Sequence, residues 1–222
     1  MDFSGPEPAD FANVESLNHA FLRFVRRSSC GRYQRQQLPQ KIQRLVEGLT
    51  DLQIERLSAA PFLLLSLRER DELYWQALLN DEPNGDLLVA VDSDPESRQL
   101  AAAGLAFLWA LAKRNPYATR LVSGATLNWC ELLTDYTMLQ LLQQTIGRRD
   151  LLQPRFPGNE QFWNKLLGPG LSSEQDVRGA AHLAALQSVL MEDPATRYRA
   201  TRAAACSTVV PSVRIADRND RR

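Results

Sequence analysis

The chain has 222 residues, 44% of them apolar, and its 26 basic side chains equal its 26 acidic ones in number. That length suits one large domain or two small ones, with enough apolar material for a sizeable core. Zero net charge argues against bulk attraction to nucleic acid or an anionic membrane, and the longest apolar run, Leu100 to Ala112, falls short of the roughly twenty residues that span a bilayer.

Leucine occurs 35 times and alanine 25 times, against 15 for isoleucine and valine together. Unbranched and small apolar side chains lose little freedom in a helix, whereas β-branched ones favour strands. The expected fold is therefore all-α, an irregular bundle of nine or ten helices with short loops. Residues 1–9 read as a flexible tail, 10–205 as one helical domain and 206–222 as a flexible basic tail. A subdomain boundary, if there is one, falls at 80–86.

In chain order, Phe11, Val14, Leu17, Phe21, Leu22, Phe24 and Val25 recur at helical spacing after Asp10 as N-cap, and Ser28 to Gly31 end the helix. Residues 32–37 read as a polar connector. Pro39 opens a short helix that Gly48 closes. Thr50 and Gln53 then form a capping box, each side chain satisfying a backbone amide of the other. Phe62 to Leu67 is almost continuously apolar and expected to be buried all round. Asp71 to Leu79 is helical. The turn-forming loop Asn80 to Asp86 follows, and Leu87 to Val91 reads as an extended connector, the only stretch with strand character.

Asp94-Pro95-Glu96 starts a long helix through the apolar run to Lys113-Arg114. Asn115-Pro116 opens the next helix and Gly124 ends it. Thr126 caps another that breaks at Thr134-Asp135 and stops at Gly147. A second long loop covers 148–158. Asn159 caps a short helix bearing Phe162 and Trp163, stopped by Gly168-Pro169-Gly170. Ser172 or Ser173 starts a helix through Leu190, and Asp193-Pro194 starts a last polar one.

The balanced charge is segregated: residues 16–46 carry seven bases and no acid, and 47–100 carry twelve acids against four bases. Arg23, Arg26, Arg27, Arg32, Arg35 and Arg44, with Tyr33, make this basic stretch the first candidate for partner binding. Interleaved arginines and aromatics can grip RNA or single-stranded DNA. The same residues can instead be a solvated face, or dock on the acidic segment of this chain or of a second copy. Helices flanking Gly48-Leu49-Thr50 have helix-turn-helix length, but the reading helix would present Asp51 and Glu55 against a single base, Arg56, which repels phosphate. Phe156, Phe162 and Trp163, beside the second loop, are either binding anchors or a seal over one end of the bundle.

Catalytic and metal-binding residues are scarce. No phosphate loop, dinucleotide fingerprint or nucleophile elbow occurs. Cys30, Cys130 and Cys206 are odd in number and far apart, so no disulfide framework or zinc site is expected and a reducing cytoplasm fits best. The acidic, proline-bearing start is unlike a signal peptide. His182, with Asp176 and Arg178 nearby in sequence, is the one place an acid–base site is conceivable. The resulting expectation is a cytoplasmic interaction, adaptor or regulatory protein that binds another protein or its own copy and carries no cofactor. A nucleic-acid regulator using 23–44, and an enzyme near His182, stand as alternatives.

Overall fold

The computed structural model describes residues 5–27, 31–81 and 95–191, and the expected connector at 87–91, most of the proposed boundary at 80–86 and the helix from Asp193 lie outside them. Met1–Met191 form one compact unit; the second, 192–222, lies outside the described residues. The fold is the expected all-α bundle, with eleven α-helices among the described residues.

The helix starts follow the side chains that cap them. In α1 (Pro8–Arg26) Glu7 is the N-cap and Asp10, at the third helical position, completes a capping box, so Asp10 acts from inside the helix rather than at its cap. That shift brings Pro8 and Ala9 into the helix, out of the expected tail. The stretch 32–37 is helical rather than a connector: Gly31, at φ 64, precedes α2 (Arg32–Gln36). The local polarity misled because this turn buries Gln34 and Arg35. Helix α3 (Gln40–Glu47) follows Pro39, and α4 (Asp51–Ser58) has the Thr50–Gln53 capping box. Asp71 caps α5 (Glu72–Asn80) by accepting from the Tyr74 amide at 3.1 Å.

The apolar run Leu100 to Ala112 lies inside α6 (Pro95–Arg114), whose buried face includes Leu100, Leu105, Leu108 and Leu111. Among the described residues no helix is long and apolar enough to cross a membrane. Asn115 caps α7 (Pro116–Ser123) and Thr126 caps α8 (Leu127–Thr134), with α9 (Met138–Thr145) beyond the expected break. Gly124 ends α7 at φ +69, where an added Cβ would sit 2.9 Å from Val189 Cγ1. Asn159 caps α10 (Glu160–Leu167), a 3-10 turn covers Pro169–Leu171, and α11 (Gln175–Met191) closes the described chain.

The buried run 62–67 is neither a helix nor free-standing. Leu65–Ser66 (β1) pairs antiparallel with Gln153–Pro154 (β2), Leu65 opposite Pro154. Strand character therefore sits in the middle of the core. An extended segment there cannot satisfy its own backbone groups. Asn18, fully buried on α1, donates to the Phe62 carbonyl at 2.8 Å and accepts from the Leu64 amide at 2.7 Å. The Leu63 amide reaches the Val122 carbonyl at 2.8 Å. Trp75 Nε1 donates to the Leu67 carbonyl at 3.1 Å.

Arg155 supplies the rest. Its side chain, 1% exposed, donates to the carbonyls of Leu63 at 3.1 Å, Leu65 at 2.7 Å and Ser123 at 2.5 Å, and pairs with Glu69. Glu69 Oε2 also accepts from Ser66 Oγ at 2.8 Å and the Leu67 amide at 2.9 Å. Burial opposes the charge on Glu69, but Arg155 and these donors outweigh it and hold the carboxyl below its ordinary 4.5.

Around this centre pack the aromatics. Trp75 and Trp129 meet edge to face at 5.5 Å between centroids, and Phe156 meets Phe162 likewise at 4.9 Å. Trp163 Nε1 donates to the Arg155 carbonyl at 2.9 Å.

Glu69→Ala leaves the Arg155 charge buried without its counter-ion, and urea unfolding should show a loss on the order of 3–5 kcal/mol. The double change Glu69→Ala with Arg155→Met should not recover it, because three carbonyls then lose their donor; recovery to wild-type stability would refute this account. Because Glu69 is depressed in the folded state, its stabilisation is complete above pH 4.5 and fades as pH falls through the lower folded value.

Candidate functional site

Folding consumes much of the basic stretch. Arg35 is buried at the C-terminal end of α1, donating to the carbonyls of Val25 at 2.7 Å and Arg27 at 2.9 Å and pairing with Glu47 at 3.0 Å. It closes the negative end of that helix and offers no surface to a partner. Arg26 bonds the Leu49 carbonyl and pairs with Asp51 at 2.8 Å, and Arg27 pairs with Glu96 at 2.7 Å. Docking of the basic stretch on the acidic segment 47–100 of the same chain is thus what these three arginines do. Arg23, Arg32 and Arg44 are exposed and take part in none of these pairs, and Tyr33 is half exposed.

Phe156, Phe162 and Trp163 are no more than 2% exposed. They are core, not surface anchors. Phe62, distant in sequence, and Phe156 both pack against Phe162 of this short helix.

Two depressions flank the first turns of α6. One is a trough of about 710 Å³ between α6 and α1, the two longest helices. Leu17, Phe24, Leu100 and Phe107 line its floor, Ala20 and Ala103 keep it open, and His19, Arg23 and the Arg27–Glu96 pair lie along it. The other is a cavity of about 440 Å³ between the start of α2, the first turns of α6 and the end of α9. Arg32, Arg98, Arg148 and Arg149 line it, and no carboxylate does among the described residues. Its apolar wall includes Ala101, Ala102, Leu142 and Ile146. Gln34 bonds Ser97 Oγ at 3.2 Å and ties α2 to α6 along one side.

Arg148 is balanced by Asp81 at 2.9 Å. The Nε of Arg98 is buried without a hydrogen-bond partner in the described protein. A buried donor left so costs on the order of 1–3 kcal/mol. Nothing in the sequence singled out Arg98, Arg148 or Arg149, because 98 and 148 are far apart in the chain and neither lies in the acid-free stretch.

His182 is 5% exposed and faces the Pro169–Leu171 turn, its Cδ2 and Nε2 each 3.5 Å from where a Cβ on Gly170 would be. Asp176 is exposed, and Arg178 bonds the Ser172 carbonyl at 2.8 Å instead of joining it. Burial, reinforced by the Arg178 charge, holds His182 below 6.5. Burial, with the Glu131 and Glu69 charges, pushes the Cys130 thiol up to about 12. No group of metal-ligating residues occurs among the described residues.

Searches against family models, curated proteins and solved structures found no match to this chain.

An NMR titration should show His182 protonating below pH 6.5, with its stabilisation complete above that value and lost as pH falls through the folded one; a value at or above 6.5 would contradict its burial. Cys130 should resist iodoacetamide at pH 8 in the native protein and react in denaturant, read by peptide mass spectrometry; native labelling would show that the α7–α8 packing opens.

Proposed function

We propose that this protein is a cytoplasmic helical adaptor or regulatory protein that docks an amphipathic, acid-flanked helix of a partner protein in the trough between α1 and α6. The observation that carries the reading is the trough itself. Two long helices lie side by side over an apolar floor, with alanines where a third helix would approach. Laying an apolar helical face into such a groove is a common way for proteins to recognise peptides. The charge on the trough favours acids on the incoming helix, since Arg27 and Glu96 offset one another while Arg23 is left over.

The protein reading is preferred over nucleic acid because Arg26, Arg27 and Arg35 spend their charge on Asp51, Glu96 and Glu47. An enzyme reading gains little from the interior. The paired Glu69 and Arg155 and the hydroxyls of Ser66 and Ser123 are all engaged in structural hydrogen bonds. The compartment rests on cysteine usage, with three well-separated cysteines and no paired spacing.

Ala20 and Ala103 are exposed, so a photo-crosslinking residue at either position leaves the core untouched. Expressed in its native cell, the labelled protein should form an adduct whose crosslinked peptide is helical in pattern and rich in Asp and Glu. Arg23→Glu should lower its yield at least several-fold. Adducts only with its own chain or with RNA, or none from either position, would overturn the proposal.

A further inference from the structure

We propose that the cavity between α2, α6 and α9 is a binding site for a nucleoside phosphate, its phosphates held by the arginines and its base lying against the apolar wall and Tyr33. This is independent of the docking trough and would survive its failure.

The lining has two chemical halves. On one side stand Arg32, Arg98, Arg148 and Arg149, with no acid among the described lining residues; Asp81 pairs with Arg148. Guanidinium groups bind phosphate oxygens through two parallel hydrogen bonds, which suits several negative charges close together. Arg98 adds a directional argument. Its buried Nε has no acceptor among the described residues, so an oxygen brought by a ligand would complete its hydrogen bonding. The first turn of α6 forms part of the wall, and the positive end of that helix dipole adds to the same preference.

On the other side the walls are apolar, and Tyr33 stands half exposed among the lining residues. A flat aromatic base can stack on such a ring, a contact the phosphate half alone would not need. About 440 Å³ is within the usual range for a small-molecule site. A bare anion would leave most of it empty, and an acidic peptide would leave the apolar half unused.

The site is built rather than incidental. Gly31 must be glycine, since at φ +64 an added Cβ would lie 2.6 Å from the Phe24 carbonyl oxygen. That turn sets Arg32 and Tyr33 on the cavity, and the buried Gln34–Ser97 bond fixes α2 against α6.

Isothermal titration of the full chain with ADP, adenosine and inorganic phosphate at low salt tests this. ADP should bind at least tenfold more tightly than either fragment, and its affinity should fall with added salt. Arg98→Ala should weaken ADP at least tenfold. Ala102→Glu, which places a carboxylate among the arginines without removing any packing, should do the same while circular dichroism and melting temperature stay unchanged. No ADP binding at millimolar concentration would overturn the proposal. So would adenosine or phosphate binding as tightly as ADP, or ADP affinity unaffected by both variants.

Discussion

The structure depends on a buried extended segment, Phe62 to Leu67, threaded through a protein that is otherwise helical. Helices satisfy their own backbones; this segment cannot, and water does not reach it. The answer is four side chains from elsewhere: Asn18 from α1, Trp75 from α5, Arg155 from beyond β2, and Glu69 folding back on its own chain. Each is fixed by geometry, so the elements bearing them are fixed as well. The backbone shows the tension of that arrangement. The only two non-glycine residues at positive φ among those described are Arg68, at 58°, and Phe156, at 46°, the neighbours of Glu69 and Arg155. Such conformations persist where surrounding contacts over-determine them.

The sequence is most legible where a single turn carries the signal. The capping side chains at Thr50, Thr126 and Asn159 are read correctly, and so is the helix start at Asn115-Pro116, because an N-cap needs only its own residue and the next three. The burial of 62–67 is legible too, from its unbroken apolarity. What fills its hydrogen bonds is not. Arg155 reads as one more arginine in a proline-bearing loop, and no local pattern says that it faces three carbonyls some ninety residues earlier or, from Ser123, some thirty. The same blindness makes Phe162 and Trp163 look stranded and α2 look like a connector, since Gln34 and Arg35 are polar residues that the tertiary fold buries.

The segregated charge has a folded counterpart. Pairs such as Arg26 with Asp51 and Arg27 with Glu96 join the basic stretch to the acidic one. Exposed pairs of this kind contribute about 0–1 kcal/mol each, so their consequence is less stability than orientation. By taking up some arginines and leaving others, they decide which positive charge remains for a partner. Arg23 and Arg32 are left over on opposite sides of the first turns of α6, and Gln99 borders both depressions.

This division locates function better than any motif. Most buried polar side chains here are spent on the framework: Asp10 on the Glu7 amide and Arg114, Arg35 on the end of α1, Asn18 and Arg155 on the central segment. A group so committed cannot change partners without undoing the fold, because removing it strands buried backbone. Groups with capacity to spare are those that the proposed recognition would use. Around α6 they are guanidinium groups beside apolar walls, one of them buried and lacking an acceptor. The buried carboxylate and arginine at the centre, by contrast, are locked to one another.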